Sequence, residues 1–207
     1  MLVAMGERAS SDRRTEKADR IVEACLRCLA RDGYAATSIA SVAREAGIDK
    51  RLVLYYHETR EQLIERVVQR VGDRLVASVQ AATAGIDDPE QRLQVGFDRL
   101  WRSLTTDRAL LVAWLGLRAE AITDRRLRAS AGFLNDRLHE LVAEAARSAE
   151  ARGLRLRMAV GPLTVLTVAA LQGLVLEWLE DGDTPDLRVA IADLQAWLAS
   201  RARPVPA

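Results

Sequence analysis

Gly47 separates two short runs whose apolar residues repeat at helical spacing, and this joint constrains the fold more than any other feature of the chain. Before it, Ile39, Val42, Ala43 and Ala46 share one face; after it, Val53 points back toward the same small core. Thr37 and Ser38 are N-cap types, with side-chain oxygens able to take the orphan amide hydrogens of a first turn. A sharp turn between helices favours a residue tolerant of positive φ, and glycine adopts that conformation without steric cost. Ala43 is small where the second helix must cross closely, Ile48 plugs the corner, and Asp49 caps the helix that follows. That second helix is short and carries Lys50, Arg51, Tyr55 and Tyr56 on its exposed side. The layout is that of a helix-turn-helix, whose second helix enters the major groove of DNA.

The same stretch, Thr37 to Ile64, resembles the DNA-binding head of the TetR family of bacterial transcriptional regulators. The likeness extends upstream through Arg20-Ile21-Val22, Ala24, Leu29 and Gly33-Tyr34, and downstream through Thr59-Arg60-Glu61 and Leu63. It implies a three-helix head leading into a fourth helix, with binding to a near-palindromic double-stranded operator as a dimer. On this reading Lys50 and Arg51 contact phosphates or a guanine edge, and Tyr55 and Tyr56 contact the backbone and thymine methyls. Thr37, Ser38, Thr59 and Arg60 hold phosphates at helix starts, with Asp49 opening the reading helix. The chain departs from the family pattern at Arg51, Leu54 and His57, where Gly, Tyr and Phe are frequent. Leu54-Tyr55 resembles a variant whose aromatic ring sits one place later. His57 puts a polar ring where the family packs an apolar one.

Composition sets an objection to this reading. The chain has 207 residues, 49% hydrophobic and 29% charged, and a formal net charge of only +1. Residues 1–60 hold eleven Lys or Arg against nine Asp or Glu, a net of +2. A dimer doubles its phosphate contacts, so a few well-placed cations suffice and modest non-specific affinity is expected. No secretory signal pattern is visible, and a cytoplasmic location is expected.

The periodicity predicts an all-α chain of about nine helices and no convincing strand. Residues 1–14 read as a disordered arm, 15–60 as the helix-turn-helix domain, 61–200 as a helical effector-binding and dimerisation domain, and 201–207 as a tail. Thr59-x-x-Gln62 makes a capping box for the fourth helix, and Asp88-Pro89 and Thr184-Pro185 start the fifth and ninth. The seventh helix buries a stripe of Leu127, Ala131, Leu134, Leu138, Leu141 and Ala145. Met158 to Leu176 contains no charge and nearly matches a bilayer span in length. Its Gly161, Pro162, Gln172 and Gly173, and the lack of bracketing aromatic belts, favour a helix shared between its own domain and a partner subunit over a membrane span.

The remaining chemistry is sparse. Cys25-x-x-Cys28 lies within a helix, away from the strand-to-helix site of a redox pair, and reads as core. His139-Glu140 begins a zinc-protease motif but lacks the second histidine, so no metal site is expected. No cofactor loop or nucleophile motif is present, and no enzyme is expected.

In the larger domain Phe97, Trp101, Trp114 and Phe133 have the makings of an apolar pocket for a small effector. Glu120, Asn135, His139 and Gln172 are candidate polar anchors. Leu171, Leu174, Trp178, Leu194 and Trp197 lie on patterns too apolar for one domain to bury, and predict a homodimer through the last two helices. A looser likeness to the effector domain of the choline-responsive branch of the same family rests on Trp114-Leu115, Glu120-Ala121, Asp124, Leu127, Ala170-Leu171-Gln172-Gly173-Leu174 and Trp178. It implies topology rather than ligand. The sequence therefore reads as a ligand-responsive dimeric repressor. The alternative is a helical small-molecule-binding or protein-interaction protein without sequence-specific DNA binding.

Overall fold

The computed structural model describes residues 2–106 and 108–204. Among them are nine α-helices: α1 Leu2–Ala36, α2 Ile39–Ala46, α3 Lys50–Tyr56, α4 Arg60–Thr83, α5 Pro89–Thr105, α6 Arg108–Thr123, α7 Arg128–Ala151, α8 Val160–Asp181 and α9 Pro185–Arg201. A short 3-10 turn, Arg125–Leu127, precedes α7. Two three-residue strands, β1 Leu154–Leu156 and β2 Ala202–Pro204, pair antiparallel with Arg155 opposite Arg203.

Two sequence expectations need correction. Helix α1 starts at Leu2 rather than after an irregular arm over 1–14, of which Met1 lies outside the described residues. The run from Glu7 to Asp19 is proline-free and dominated by Arg, Glu, Lys and Ala, all favourable in helices. At the other end, 202–204 is not loose tail but β2, and 205–207 lies outside the described residues. Leu154-Arg155-Leu156 does alternate apolar and charged residues, but three positions are too few for periodicity to announce a strand.

The caps follow side-chain chemistry. Ser38 and Ser41 form a reciprocal capping box on α2, with Ser41 N donating to Ser38 Oγ at 3.1 Å and Ser38 N to Ser41 Oγ at 2.8 Å. Asp49 accepts from Arg51 N at 2.6 Å, Asp88 from Gln91 N at 2.8 Å, and Thr184 from Leu187 N at 3.1 Å. Each such cap stabilises its helix by about 1 kcal/mol.

The chain divides into two compact units, one of residues 1–70 with 109–132, the other of 71–108 with 133–207. The first therefore holds α1, α2, α3, the start of α4 and α6. Its core is Ile21, Cys25, Val42, Val53, Leu63, Ile64 and Val67, each 2% exposed or less. Gly47 occupies the left-handed region at φ 66, and its amide donates back to Ala43 and Arg44, closing α2. In the second unit Phe97, Leu100, Leu138, Leu141, Val168, Leu171 and Val175 are buried. The α7 stripe is as expected except at its end, where Ala146 is buried and Ala145 exposed.

Helix α8 is long and apolar enough to cross a membrane, with a mean hydropathy of 1.6, yet only 33% of its most apolar stretch is buried. Leu163, Thr167, Val168, Leu171, Val175 and Leu179 face its own unit. Val165, Leu166 and Leu176 remain 57, 49 and 46% exposed. Length and composition alone match a core helix as well as a span.

Candidate nucleic-acid interface

The reading helix α3 is short, and its orientation follows from Val53, which is fully buried against the rest of the first unit. With that side turned in, Lys50, Arg51, Leu54 and Tyr55 are exposed, and Tyr56 is half-buried. The Tyr55 and Tyr56 rings meet edge to face at 5.3 Å, which limits their freedom before any partner arrives. Ser38 and Thr59 are exposed at the starts of α2 and α4. Thr59 Oγ1 accepts from Gln62 N at 3.1 Å, and Gln62 reaches back to Glu58 N rather than to Thr59 itself. The chain also exposes Arg20 on α1 and Arg44 on α2, two cations that the motif-based reading passed over.

Two of the anticipated phosphate contacts have partners within the head. Thr37 is 2% exposed and its hydroxyl donates to Gly33 O at 2.7 Å. Arg60 donates through Nε to Thr37 O at 2.6 Å and through Nη2 to Tyr34 O, and its guanidinium lies 4.2 Å from the Tyr34 ring centre. Gly33, at φ 76 and ψ 177, breaks the helical geometry of α1 just before Tyr34, and a cation at the C-terminal end of a helix matches its dipole. Arg60 and Thr37 thus brace the joint that carries α2 and α3.

His57 caps α3, its amide donating to Val53 O at 2.9 Å. The ring is 8% exposed and its Nε2 is buried without a partner. Burial holds the imidazole below its ordinary value of 6.5, and the charge of Arg66 acts in the same direction. The folded protein thus binds this proton less readily than the unfolded chain. The corresponding stability is present above about pH 6.5 and is lost as pH falls below it. Asp32 and Glu45 are held below their ordinary values by Arg31 and Arg27, so their contributions are lost only at lower pH. Melting followed between pH 7 and 5.5 is therefore expected to show a loss that His57→Phe removes; an identical pH profile for the variant contradicts the assignment.

The cysteines behave as core. Both are fully buried and free; burial pushes the Cys25 thiol up to about 12 and also raises Cys28. Thiols so protonated are poor nucleophiles. Among the described residues no three His, Cys, Asp or Glu side chains gather where a metal would bind.

The expected effector residues are dispersed. Trp114 and Glu120 belong to the first unit, the former buried and the latter exposed. In the second unit Gln172 Nε2 donates to Asn135 Oδ1 at 2.7 Å, and His139 Nδ1 lies 2.8 Å from Asn135 O. These three anchors do come together, but on each other. Trp101 and Phe133 are half-buried. A cavity of about 400 Å³ lies elsewhere in this unit, among α4, α5, α7, α8, α9 and the strands. Of the expected ligand residues only Phe97 lines it. The expected dimer residues are also redistributed: Leu171 is 1% exposed within its own unit and lines the cavity, while Leu174, Trp178, Leu194 and Trp197 are half-buried.

A capped helix-turn-helix with a cationic, tyrosine-bearing second helix defines the head as a DNA-binding domain. Residues 21–67 match the profile of the bacterial regulatory proteins of the tetR family. The chain is 27% identical over 131 residues to the helix-turn-helix-type transcriptional regulator BetI of Burkholderia ambifaria, covering 62% of this chain and 68% of that one. A protein from a Rhodococcus species assigned to the TetR-family regulators superposes with a TM-score of 0.76 at 23% identity, covering 90% of this chain and 98% of that one. A transcriptional regulator of Saccharomonospora viridis, solved with choline, gives 0.74 at 19% identity, with 91 and 98% covered. At these identities the structural likeness is one of fold. Residues 21–67 thus carry a TetR-type helix-turn-helix DNA-binding domain, and the relatives that the chain resembles are transcriptional regulators.

Proposed function

We propose that the protein is a ligand-responsive repressor that acts in the cytoplasm as a homodimer on a near-palindromic operator. The observation that carries the DNA-reading part is the outward placement of Lys50, Arg51 and Tyr55 on α3, over a joint locked by Arg60. One α3 from each subunit enters a major groove, Lys50 and Arg51 meeting phosphates or a guanine edge and Tyr55 the apolar face of thymine. Ser38 and Thr59 hold phosphates beside it through helix-start amides.

The exposed apolar stripe of Val165, Leu166 and Leu176 on α8, with Val189 on α9, is the surface that pairs two subunits. The effector site is the cavity of the second unit, which takes a small, mainly apolar molecule. Helix α4 begins in the first unit and lines the cavity with Val79 and Thr83, so it is the element through which occupancy reaches the head. An occupant changes operator affinity only if it binds one arrangement of α4 better than the other.

DNase footprinting on the DNA upstream of the gene for this protein tests the reading. Protection of two half-sites related by approximate two-fold symmetry is expected. Absence of protection at low salt contradicts it.

A further inference from the structure

We propose that the cavity of the second unit is built for an amphipathic carboxylate, with its acid group on Arg201 and its alkyl tail among the apolar walls; this rests on reading that cavity as the effector site. At about 400 Å³ the space falls within the range of small-molecule sites. Phe97, Leu100, Leu141, Leu163 and Leu171 make walls suited to hydrocarbon.

The ionisable groups around the cavity decide the head group. Arg92 Nη1 donates to Thr83 O at 2.9 Å, and Arg152 Nη1 to Ile86 O at 3.0 Å, so both hold the loop between α4 and α5. Asp88 caps α5, and Asp88, Glu90 and Glu144 are exposed, where water solvates them. Arg201 differs. Its Nε is buried and has no acceptor. Its guanidinium is stacked 4.9 Å from the Trp197 ring centre, and its own carbonyl accepts from Arg157 N at 2.8 Å. Arg201 thus lines an apolar cavity with its guanidinium held in place and, among the described residues, no protein acceptor on it. The shielded Nε leaves the outer nitrogens as the donors that an occupant can meet, and a charge-assisted hydrogen bond there favours an anionic acceptor. A carboxylate matches the planar fork of arginine with two acceptors, an alcohol offers a weaker neutral one, and a quaternary ammonium is repelled.

The test compares three probes sharing one tail, namely decanoate, 1-decanol and decyltrimethylammonium, by calorimetry on the full chain below their aggregation concentrations. Wild-type protein is expected to prefer decanoate by about tenfold, the scale of one charge-assisted hydrogen bond. Arg201→Gln is expected to bring decanoate down to the affinity of decanol, while decanol itself binds as before. Leu163→Trp, which fills the cavity, is expected to weaken binding of decanoate and decanol alike. If decanol or the ammonium matches decanoate on the wild type, or Arg201→Gln leaves decanoate unchanged, the carboxylate assignment is overturned and the cavity remains an apolar site. If none of the three binds, or if Leu163→Trp leaves binding intact, the effector reading of this cavity falls together with the proposal.

Discussion

Leu166→Glu is expected to turn the proposed dimer into monomers and so remove tight operator binding. Leu166 is 49% exposed in the single chain and lies on α8 with Val165 and Leu176, both also exposed. An isolated carboxylate buried there in a dimer has no partner, and costs several kcal/mol at each copy. Folding of one subunit should barely change, because Leu166 contributes little to its own core. Leu171→Ala makes the contrast. That side chain is 1% exposed, and its truncation should lower stability by about 2–5 kcal/mol. Light scattering at micromolar concentration, with thermal melting alongside, separates the two effects. A wild-type monomer, or an unaltered Leu166→Glu dimer, places the pairing surface elsewhere or removes it.

Lys50→Ala combined with Tyr55→Ala is the second large effect. Both residues are exposed, Tyr55 to 64%, so the double variant should melt close to the wild type. On the operator, each base-edge contact contributes about 1–3 kcal/mol, so losing both from each subunit should weaken binding by well over a hundredfold. Losing Lys50 should also reduce the salt slope by about one for each phosphate contact removed. The single variants separate these roles. Lys50→Ala weakens operator and unrelated DNA alike if it touches phosphate, whereas Tyr55→Ala weakens mainly the operator. Wild-type affinity in the double variant removes α3 as the reading helix.

The parts of this account that sequence made legible are those governed by local chemistry. Gly47 between two amphipathic runs, the caps at Ser38, Asp49, Asp88 and Thr184, and the inward turn of Val53 all depend on neighbours within a few positions. What escaped depends on distant parts of the chain. Arg60 looks like a phosphate contact in the sequence, yet it donates to the carbonyls of Tyr34 and Thr37, more than twenty positions away. Helix α8 is apolar on nearly every side, so periodicity could not tell Leu171, which faces inward, from Leu166, which does not. Large aromatics such as Trp101, Trp114 and Phe133 stand out in a sequence, yet none of the three lines the cavity. Its walls are formed partly by the pairing of β1 with β2, which joins residues far apart in the chain and too few in number to show a strand pattern.

Equilibrium binding of wild-type protein to its footprinted operator and to a scrambled duplex, across a salt series, tests sequence-specific DNA reading most directly. Both affinities are expected to fall linearly in log salt, as cations on the protein displace counterions from phosphate. The operator is expected to stay at least about a thousandfold tighter at physiological salt. Equal affinity for the two duplexes throughout the series would contradict sequence-specific reading.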